Sequence, residues 1–362
     1  MKTCVTQHRI TAPSATVSKS RAATWYQRSV FALNAALAGL LLSTSALAAD
    51  HPGTAEYIDK IVAEHQLDRA FVEQIIQQAE YRQDIIDLMT RPAEGKPWHE
   101  YRKIFLNDRR IKSGAVFMTG NQDLLSDIEQ RFGVPAEIVT AITGIETSYG
   151  GNTGRHRVID ALVTLGFYYP KRAEFFSSEL TNLLRLSDEE SLPLLELRGS
   201  YAGAMGLGQF MPSSYRAYAV DFDKDGRRDL WQSLEDALAS VANYLHEHHW
   251  QSGQPVVLPA TVVDESKLPA KPKLKLEYTL GQLAKLGVTP LYGDLPADTK
   301  AMLVKLERED GYEYWIGLNN FYAITRYNRS PLYAMAVFQL SQAIVDTRQA
   351  SQSAASGTGE AK

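Results

Sequence analysis

F-G-V-P-A-E-I-V-T-A-I-T-G-I-E-T-S-Y, Phe132 to Tyr149, is the stretch on which the reading of this chain turns. Ile138, Val139, Ile142 and Ile145 recur at the spacing of one helix face, which predicts a helix buried along that stripe. Pro135 suits the first turn, where its missing N–H costs nothing, and Gly150 and Gly151 are expected to end the helix. Glu146 follows Ile142 by four residues, at the edge of the stripe. A carboxyl at the buried end of an apolar helix resists ionisation, because desolvation disfavours the charged form. An acid kept protonated near neutral pH can protonate a leaving oxygen, as cleavage of a glycosidic bond requires. The ordinary alternative for a single Glu near a helix end is a surface residue or half of an ion pair.

Three other constellations bear on chemistry. G-S-Y-A-G-A-M-G-L-G-Q-F-M-P-S-S-Y, Gly199 to Tyr215, is too rich in glycine to form an independent helix or strand. Its small residues would let another chain approach the backbone, and Gln209 offers an amide suited to sugar hydroxyls and N-acetyl groups. A tightly packed helix–loop junction is the equal alternative. D-F-D-K-D-G-R-R-D, Asp221 to Asp229, places carboxylates at positions one, three and five and a glycine at six, as in an EF-hand calcium loop. Position seven, Arg227, would offer its carbonyl. Position twelve is Gln232 rather than Glu, so Glu235 or Asp236 would have to close the loop. The third is N-N-F-Y-A-I-T-R-Y-N, Asn319 to Asn328, whose amides and aromatic rings suit carbohydrate. An amphipathic helix with its tyrosines in the core explains it equally. His246, His248 and His249 do not have the i, i+4 spacing of H-E-x-x-H and are read as a solvated helix end.

Composition sets the class. Residues 1–29 carry five Lys or Arg and no acid, an apolar run covers Val30 to Leu42, and S-T-S-A-L-A-A precedes Asp50. This pattern predicts a secretory signal over residues 1–49, cleaved near Ala49, and an exported, periplasmic protein. The one cysteine, Cys4, lies within that leader, so neither a disulfide nor a lipid anchor is expected in the mature chain. Net charge is −4 for the whole chain, and removal of a basic leader makes it more acidic, which argues against nucleic acid as a partner.

Punctuation divides the remainder. Helical periodicity over 54–90, with Asp68 as an N-cap, opens a helical domain over residues 50–120. Helices dominate the core, 121–253. A small α/β insert is expected over 254–316: alternation at Leu274, Leu276 and Tyr278 suggests a strand, Thr279 to Leu286 a helix, and E-R-E-D-G a hairpin turn. Helices return over 317–348, and the small polar residues 349–362 are expected to be disordered. The fold class is mainly α, of α+β type.

Several long motifs in this order resemble the family of membrane-bound lytic murein transglycosylase B over nearly all of residues 50–348. They are P-W-H-E-Y (97–101), G-I-E-T-S-Y-G (144–150), D-A-L-V-T-L-G-F-Y-Y-P-K-R-A-E-F-F (160–176), the glycine-rich segment, the acidic loop, S-V-A-N-Y (240–244) and the Asn319–Asn328 segment. The resemblance implies a lysozyme-like helical core, a helical domain built from both chain ends and a small β-containing domain. It implies that Glu146 is the catalytic acid and base, and that Tyr101, Arg172, Ser200, Gln209, Tyr244 and Tyr327 line a glycan cleft. Lys171 stands where some relatives carry Arg, keeping charge but losing the bidentate fork. It further implies Asp221, Asp223 and Asp225 as calcium ligands, with the Arg227 carbonyl, and alignment favours Asp236 as the closing carboxylate. The implied reaction cuts peptidoglycan between N-acetylmuramic acid and N-acetylglucosamine, leaving a 1,6-anhydro ring. It needs no catalytic cofactor, only a structural Ca2+, and is expected of a monomer acting on glycan strands, alone or beside other cell-wall enzymes. A hydrolysing muramidase, with Asp160 or Glu174 as second carboxylate, and a non-catalytic peptidoglycan-binding scaffold are the rivals.

Overall fold

The computed structural model describes residues 51–90 and 95–357; the expected leader, residues 1–49, lies outside them. Helices α1 (Thr54–His65), α2 (Arg69–Gln77) and α3 (Gln83–Met89) come first. The Asp68 carboxylate accepts the Phe71 N–H at 2.7 Å and so caps α2. Helices α4 (Trp98–Phe105), α5 (Asp108–Gly120) and α6 (Gln122–Phe132) lead into α7 (Ala136–Thr147).

Helix α7 is buried on all sides except at Glu137 and Glu146. The expected stripe becomes a whole circumference because the threonines of the other face satisfy themselves. The hydroxyls of Thr140, Thr143 and Thr147 donate to the carbonyls of Ala136, Val139 and Thr143, one turn back. A helix that is apolar all round has to be a core helix.

Around it run the antiparallel pair β1 (His156–Arg157) and β2 (Arg198–Gly199), then α8 (Val158–Tyr168), α9 (Ala173–Glu190), α10 (Pro212–Tyr218) and α11 (Leu234–Glu247). A five-stranded antiparallel sheet follows: β3 (Val257–Val262), β4 (Tyr278–Thr279), β5 (Val288–Pro290), β6 (Lys300–Arg308) and β7 (Gly311–Gly317), in the order β4-β6-β7-β3-β5. The β6–β7 hairpin turns at Glu309 and Asp310, within the E-R-E-D-G segment. Helix α12 (Leu280–Lys285) interrupts the sheet sequence, opened by a capping box between Thr279 and Gln282. Finally α13 (Asn319–Tyr327) and α14 (Pro331–Gly357) return to the helices, and α14 packs on α4, α5 and α7. No described helix is long and apolar enough to cross a membrane.

Three expectations are corrected. The strand expected at Leu274–Tyr278 reduces to Tyr278–Thr279, because 273–277 closes local bonds instead, Lys275 N–H to Lys273 O and Glu277 N–H to Lys275 O. The tail expected to be disordered from 349 is helical to Gly357, as a continuation of α14. Helix α7 stops at Ser148, before the glycines expected to end it. Ser148 and Tyr149 both take left-handed backbone angles, φ 53° and 63°. The Tyr149 N–H reaches back to Thr143 O, and the Gly150 N–H donates to the Thr147 hydroxyl.

That turn carries the Tyr149 ring back between α5 and α7. A Cβ on Gly144 would lie 2.5 Å from the Tyr149 hydroxyl and 2.6 Å from Cζ, and one on Gly114 would lie 2.4 Å from the same oxygen. Alanine is the better helix former by about 1 kcal/mol at an open helical site, but not where it drives into a ring. Gly144→Ala is therefore expected to destabilise the fold by about 1–3 kcal/mol. Denaturant titration checks this, and in a Tyr149→Ala background the same substitution should cost much less.

Candidate active site

Glu146 occupies the last turn of α7 and is half-buried. Tyr333, in the first turn of α14 and 2 % exposed, donates its hydroxyl to Glu146 Oε1 at 2.6 Å. Burial pushes the Glu146 carboxyl up to about 7, against an opposing pull from the Tyr333 hydroxyl, which favours the anion. No carboxylate is among the groups acting on it. Burial and the nearby Glu146 charge both hold Tyr333 and Tyr327 well above the usual phenol range. Both phenols are therefore neutral at any working pH.

The tyrosines form a continuous wall. The rings of Tyr327 and Tyr333 are near parallel at 6.4 Å, and Tyr327 meets Tyr244 at 4.7 Å. The Tyr327 hydroxyl donates to Gly208 O and that of Tyr244 to Arg326 O, both at 2.6 Å. Their protons are thus committed to the main chain, and what remains for a sugar is ring surface and an oxygen lone pair. Gly208 has to be glycine for the first of these contacts, since a Cβ there would stand 2.9 Å from the Tyr327 oxygen. Tyr101 is buried, lies 5.3 Å from the Phe105 ring and acts electrostatically on Tyr333, which extends the wall to α4.

The glycine-rich segment folds as a tight loop beside the end of α7. The Thr147 hydroxyl shares its one proton between Thr143 O at 3.2 Å and Leu207 O at 3.1 Å, which ties the residue after Glu146 to that loop. Gln209 has φ 51°, and its amide nitrogen donates to Thr153 O and Gly206 O, which uses both N–H groups and leaves Oε1 as an acceptor. The Ser200 hydroxyl oxygen accepts the N–H groups of Ala202 and Ala204 and keeps its proton to donate. Lys171 and Arg172 are exposed in a 3-10 turn between α8 and α9, with the Arg172 guanidinium over the rings of Phe175 and Phe176. Sequence reading missed Tyr333 and Tyr149. Both are held by contacts between segments far apart in the chain, and only the position of Tyr333 just after Pro331 hints at its place.

Of the two carboxylates offered to a hydrolytic partner role, one is engaged and the other is exposed. Asp160 is buried and accepts from Glu80 N–H at 2.9 Å and Arg157 at 2.7 Å; Glu174 is exposed in the first turn of α9. His246 and His248 bond the carbonyls of Phe132 and Tyr244 through Nδ1, in keeping with structural rather than metal-binding roles.

In the acidic loop, carboxylate oxygens of Asp221, Asp223 and Asp236 lie within 4.8 Å of one another. Asp236 is fully buried and accepts N–H groups from Phe222 and Asp229, and burial followed by the Asp223 charge raises its pKa. Buried Asp221 Oδ1 has no hydrogen-bond partner. Three converging carboxylates with an unsatisfied buried oxygen fit a hard divalent cation. Asp225, expected as a further ligand, is exposed like Asp223, and its Oδ1 accepts the Arg227 N–H at 2.8 Å. Glu235 is outside the converging group.

Residues 50–342 match the transglycosylase SLT domain family. Membrane-bound lytic murein transglycosylase B of Escherichia coli K12 is 43% identical over 311 residues, 83% of this chain and 84% of that one. The catenated lytic transglycosylase SltB1 of Pseudomonas aeruginosa superposes with TM-score 0.78 at 44% identity, over 83% of this chain and 99% of that one. The E. coli lytic transglycosylase Slt35 in complex with calcium gives 0.75 at 44%, over 83% and 95%. P. aeruginosa SltB3 in complex with NAG-NAM-pentapeptide gives 0.68 at 31%, over 80% and 78%.

A group whose pKa rises on folding from 4.5 to about 7 binds more protons folded than unfolded in that window, so its contribution to stability declines as pH rises through it. Glu146→Gln should therefore gain stability relative to the parent chain between pH 4.5 and 7, levelling off above, as measured by denaturant titration across pH. Tyr333→Phe, which removes the bond favouring the anion, should raise the Glu146 pKa further in a carboxyl-labelled NMR titration.

Proposed function

The chain belongs to the transglycosylase SLT domain family, and from that premise we propose that it cuts peptidoglycan with Glu146 as its one catalytic carboxyl group. It is a lytic murein transglycosylase. What supports the single-carboxyl reading is a half-buried acid that burial holds up to about 7, with Tyr333 as its hydrogen-bond partner and no carboxylate among the described residues shifting it. Glycosidases that use water as a reactant work with two carboxyl groups, about 5–9.5 Å apart.

Protonated Glu146 donates its proton to the glycosidic oxygen between N-acetylmuramic acid and N-acetylglucosamine. The C1–O bond breaks and the leaving strand departs as an alcohol. The substrate's own N-acetyl group shares the positive charge that develops at C1. Glu146, now a carboxylate held by Tyr333, removes the proton of the muramic acid 6-hydroxyl as that oxygen attacks C1. A 1,6-anhydro ring closes, Glu146 is protonated again, and no water is consumed. One group has to be acid first and base second, which favours a pKa close to the working pH. Tyr101, Lys171, Arg172, Ser200, Gln209, Tyr244 and Tyr327 are proposed to line the glycan cleft. Asp221, Asp223 and Asp236 would hold a calcium ion that braces the loop before α11, with no part in the chemistry. The peptidoglycan substrate, and the basic and apolar leader pattern of residues 1–49, support a periplasmic location.

Glu146→Gln is expected to keep the fold and to lower release of anhydro-muropeptides from purified peptidoglycan by at least about 10³-fold, within the range that loss of a general acid–base produces. Mass spectrometry should find the parent's products one water lighter than hydrolytic ones and resistant to borohydride; reducible muramic acid ends would overturn the mechanism. Calcium at a hundred times its Kd should stabilise the protein by about 2.7 kcal/mol. Asp236→Asn should abolish that response in a thermal melt.

A further inference from the structure

The later part of the acidic loop, residues 227–232, and the segment after α9, residues 190–198, enclose a cavity of about 460 Å³. That volume falls within the range of small-molecule sites, about 300–1,000 Å³. Neither Glu146 nor Tyr101, Tyr244, Tyr327 or Tyr333 lines it. The cavity adjoins the glycine-rich loop through Leu230, whose carbonyl accepts the Leu207 N–H at 2.8 Å.

The two walls are tied to each other without a ligand. Arg228 Nε–H donates to Glu190 Oε1 at 2.7 Å, and the Trp231 indole N–H donates to Arg198 O at 3.3 Å. The Asp229 carboxylate accepts the N–H groups of Trp231 and Gln232 at 2.8 and 2.9 Å, which fixes the turn that carries the indole. A cavity preformed in this way binds without the loss of entropy that ordering its walls would bring.

Its lining suits a neutral ligand rich in hydroxyls. Arg198, Arg227 and Arg228 are matched by Glu190, Glu196 and Asp229, so neither an anion nor a cation is favoured by charge. Leu192 and the half-buried Trp231 supply an apolar side. Because the indole N–H is engaged, Trp231 offers ring surface, the partner that the C–H face of a sugar ring requires. The side chains of Glu196, Arg227 and Gln232 bond to no other described residue. They present a carboxylate, a guanidinium and an amide, planar groups that accept from and donate to hydroxyls.

We propose that this cavity is a second binding site for the glycan strand, taking N-acetylhexosamine rings away from the reaction centre. The inference rests on the peptidoglycan reading above, which makes the ligand a polymer able to occupy both sites at once. A strand held at two places binds more tightly than either contact allows alone, and it stays with the enzyme when one contact opens.

Binding, not turnover, tests this, so the outcome is separate from that of the proposed reaction. Chitotetraose, which is neutral and carries no peptide, is titrated into the Glu146→Gln protein while the indole N–H signals are followed by NMR. Trp98, whose ring lies 6.4 Å from that of Tyr101, reports on the cleft, and Trp231 reports on the cavity. The Trp231 signal is expected to shift. Glu196→Gln combined with Gln232→Ala, both at exposed positions, should abolish that shift and leave the Trp98 response unchanged. The same pair of substitutions should weaken binding of long, amidase-stripped strands about tenfold. A Trp231 signal that stays still, or one that the two substitutions leave unaltered, would overturn the proposal. So would an unchanged affinity for long strands. If the unsubstituted protein releases no anhydro product, the reaction mechanism fails while the two indole signals still decide this site.

Discussion

A carboxyl group stays neutral near pH 7 only where water cannot solvate its anion. The helices of this protein are arranged to meet that condition at Glu146. Helix α7 is enclosed except at Glu137 and Glu146, so the group in its last turn sits where the core ends. Tyr333 closes the remaining side with a 2.6 Å hydrogen bond, and that bond acts in the opposite sense to burial. Desolvation makes the proton available, and the phenol keeps the anion tolerable once the proton has gone. The balance between these two effects suits a group proposed to serve in both protonation states.

The surroundings maintain this balance by packing rather than by charge. The hydroxyls of Tyr244 and Tyr327 are tied to main-chain carbonyls, which makes the wall stiff and leaves it without a competing acid. The end of α7 is fixed twice over, by the left-handed pair Ser148 and Tyr149 and by the bond from Thr147 to the glycine-rich loop. Strained backbone of this kind persists where surrounding contacts over-determine it. Here those contacts include the seat that Gly114 and Gly144 leave for the Tyr149 ring. Cleft loop, helix end and C-terminal helix are therefore one mechanical unit.

The amphiphilic reading of the chain was largely legible in advance. Helical periodicity, the Asp68 cap, the hairpin turn and the place of Glu146 at the edge of an apolar stripe all depend on neighbours within a turn or two. Readings that failed also failed for local reasons. The alternation at Leu274–Tyr278 has the period of a strand, but its N–H groups bond two residues back instead of across a ladder. The polar segment after residue 348 has low apolar content, yet it continues a helix already nucleated over Pro331–Arg348.

The sequence by itself determined where Glu146 stands, because four apolar positions at helical spacing place it at the end of a buried face. It also determined that the chain is mainly helical with a small sheet, since periodicities of 3.6 and 2 are written into neighbouring residues. Only the tertiary structure decided the acidity of that group and the donor that tempers it. Tyr333 is 187 residues away from Glu146, and no local pattern relates the two. The same holds for the wall of tyrosines. Desolvation and ion pairing depend on what long-range packing brings near, and packing partners leave no periodic trace in the chain.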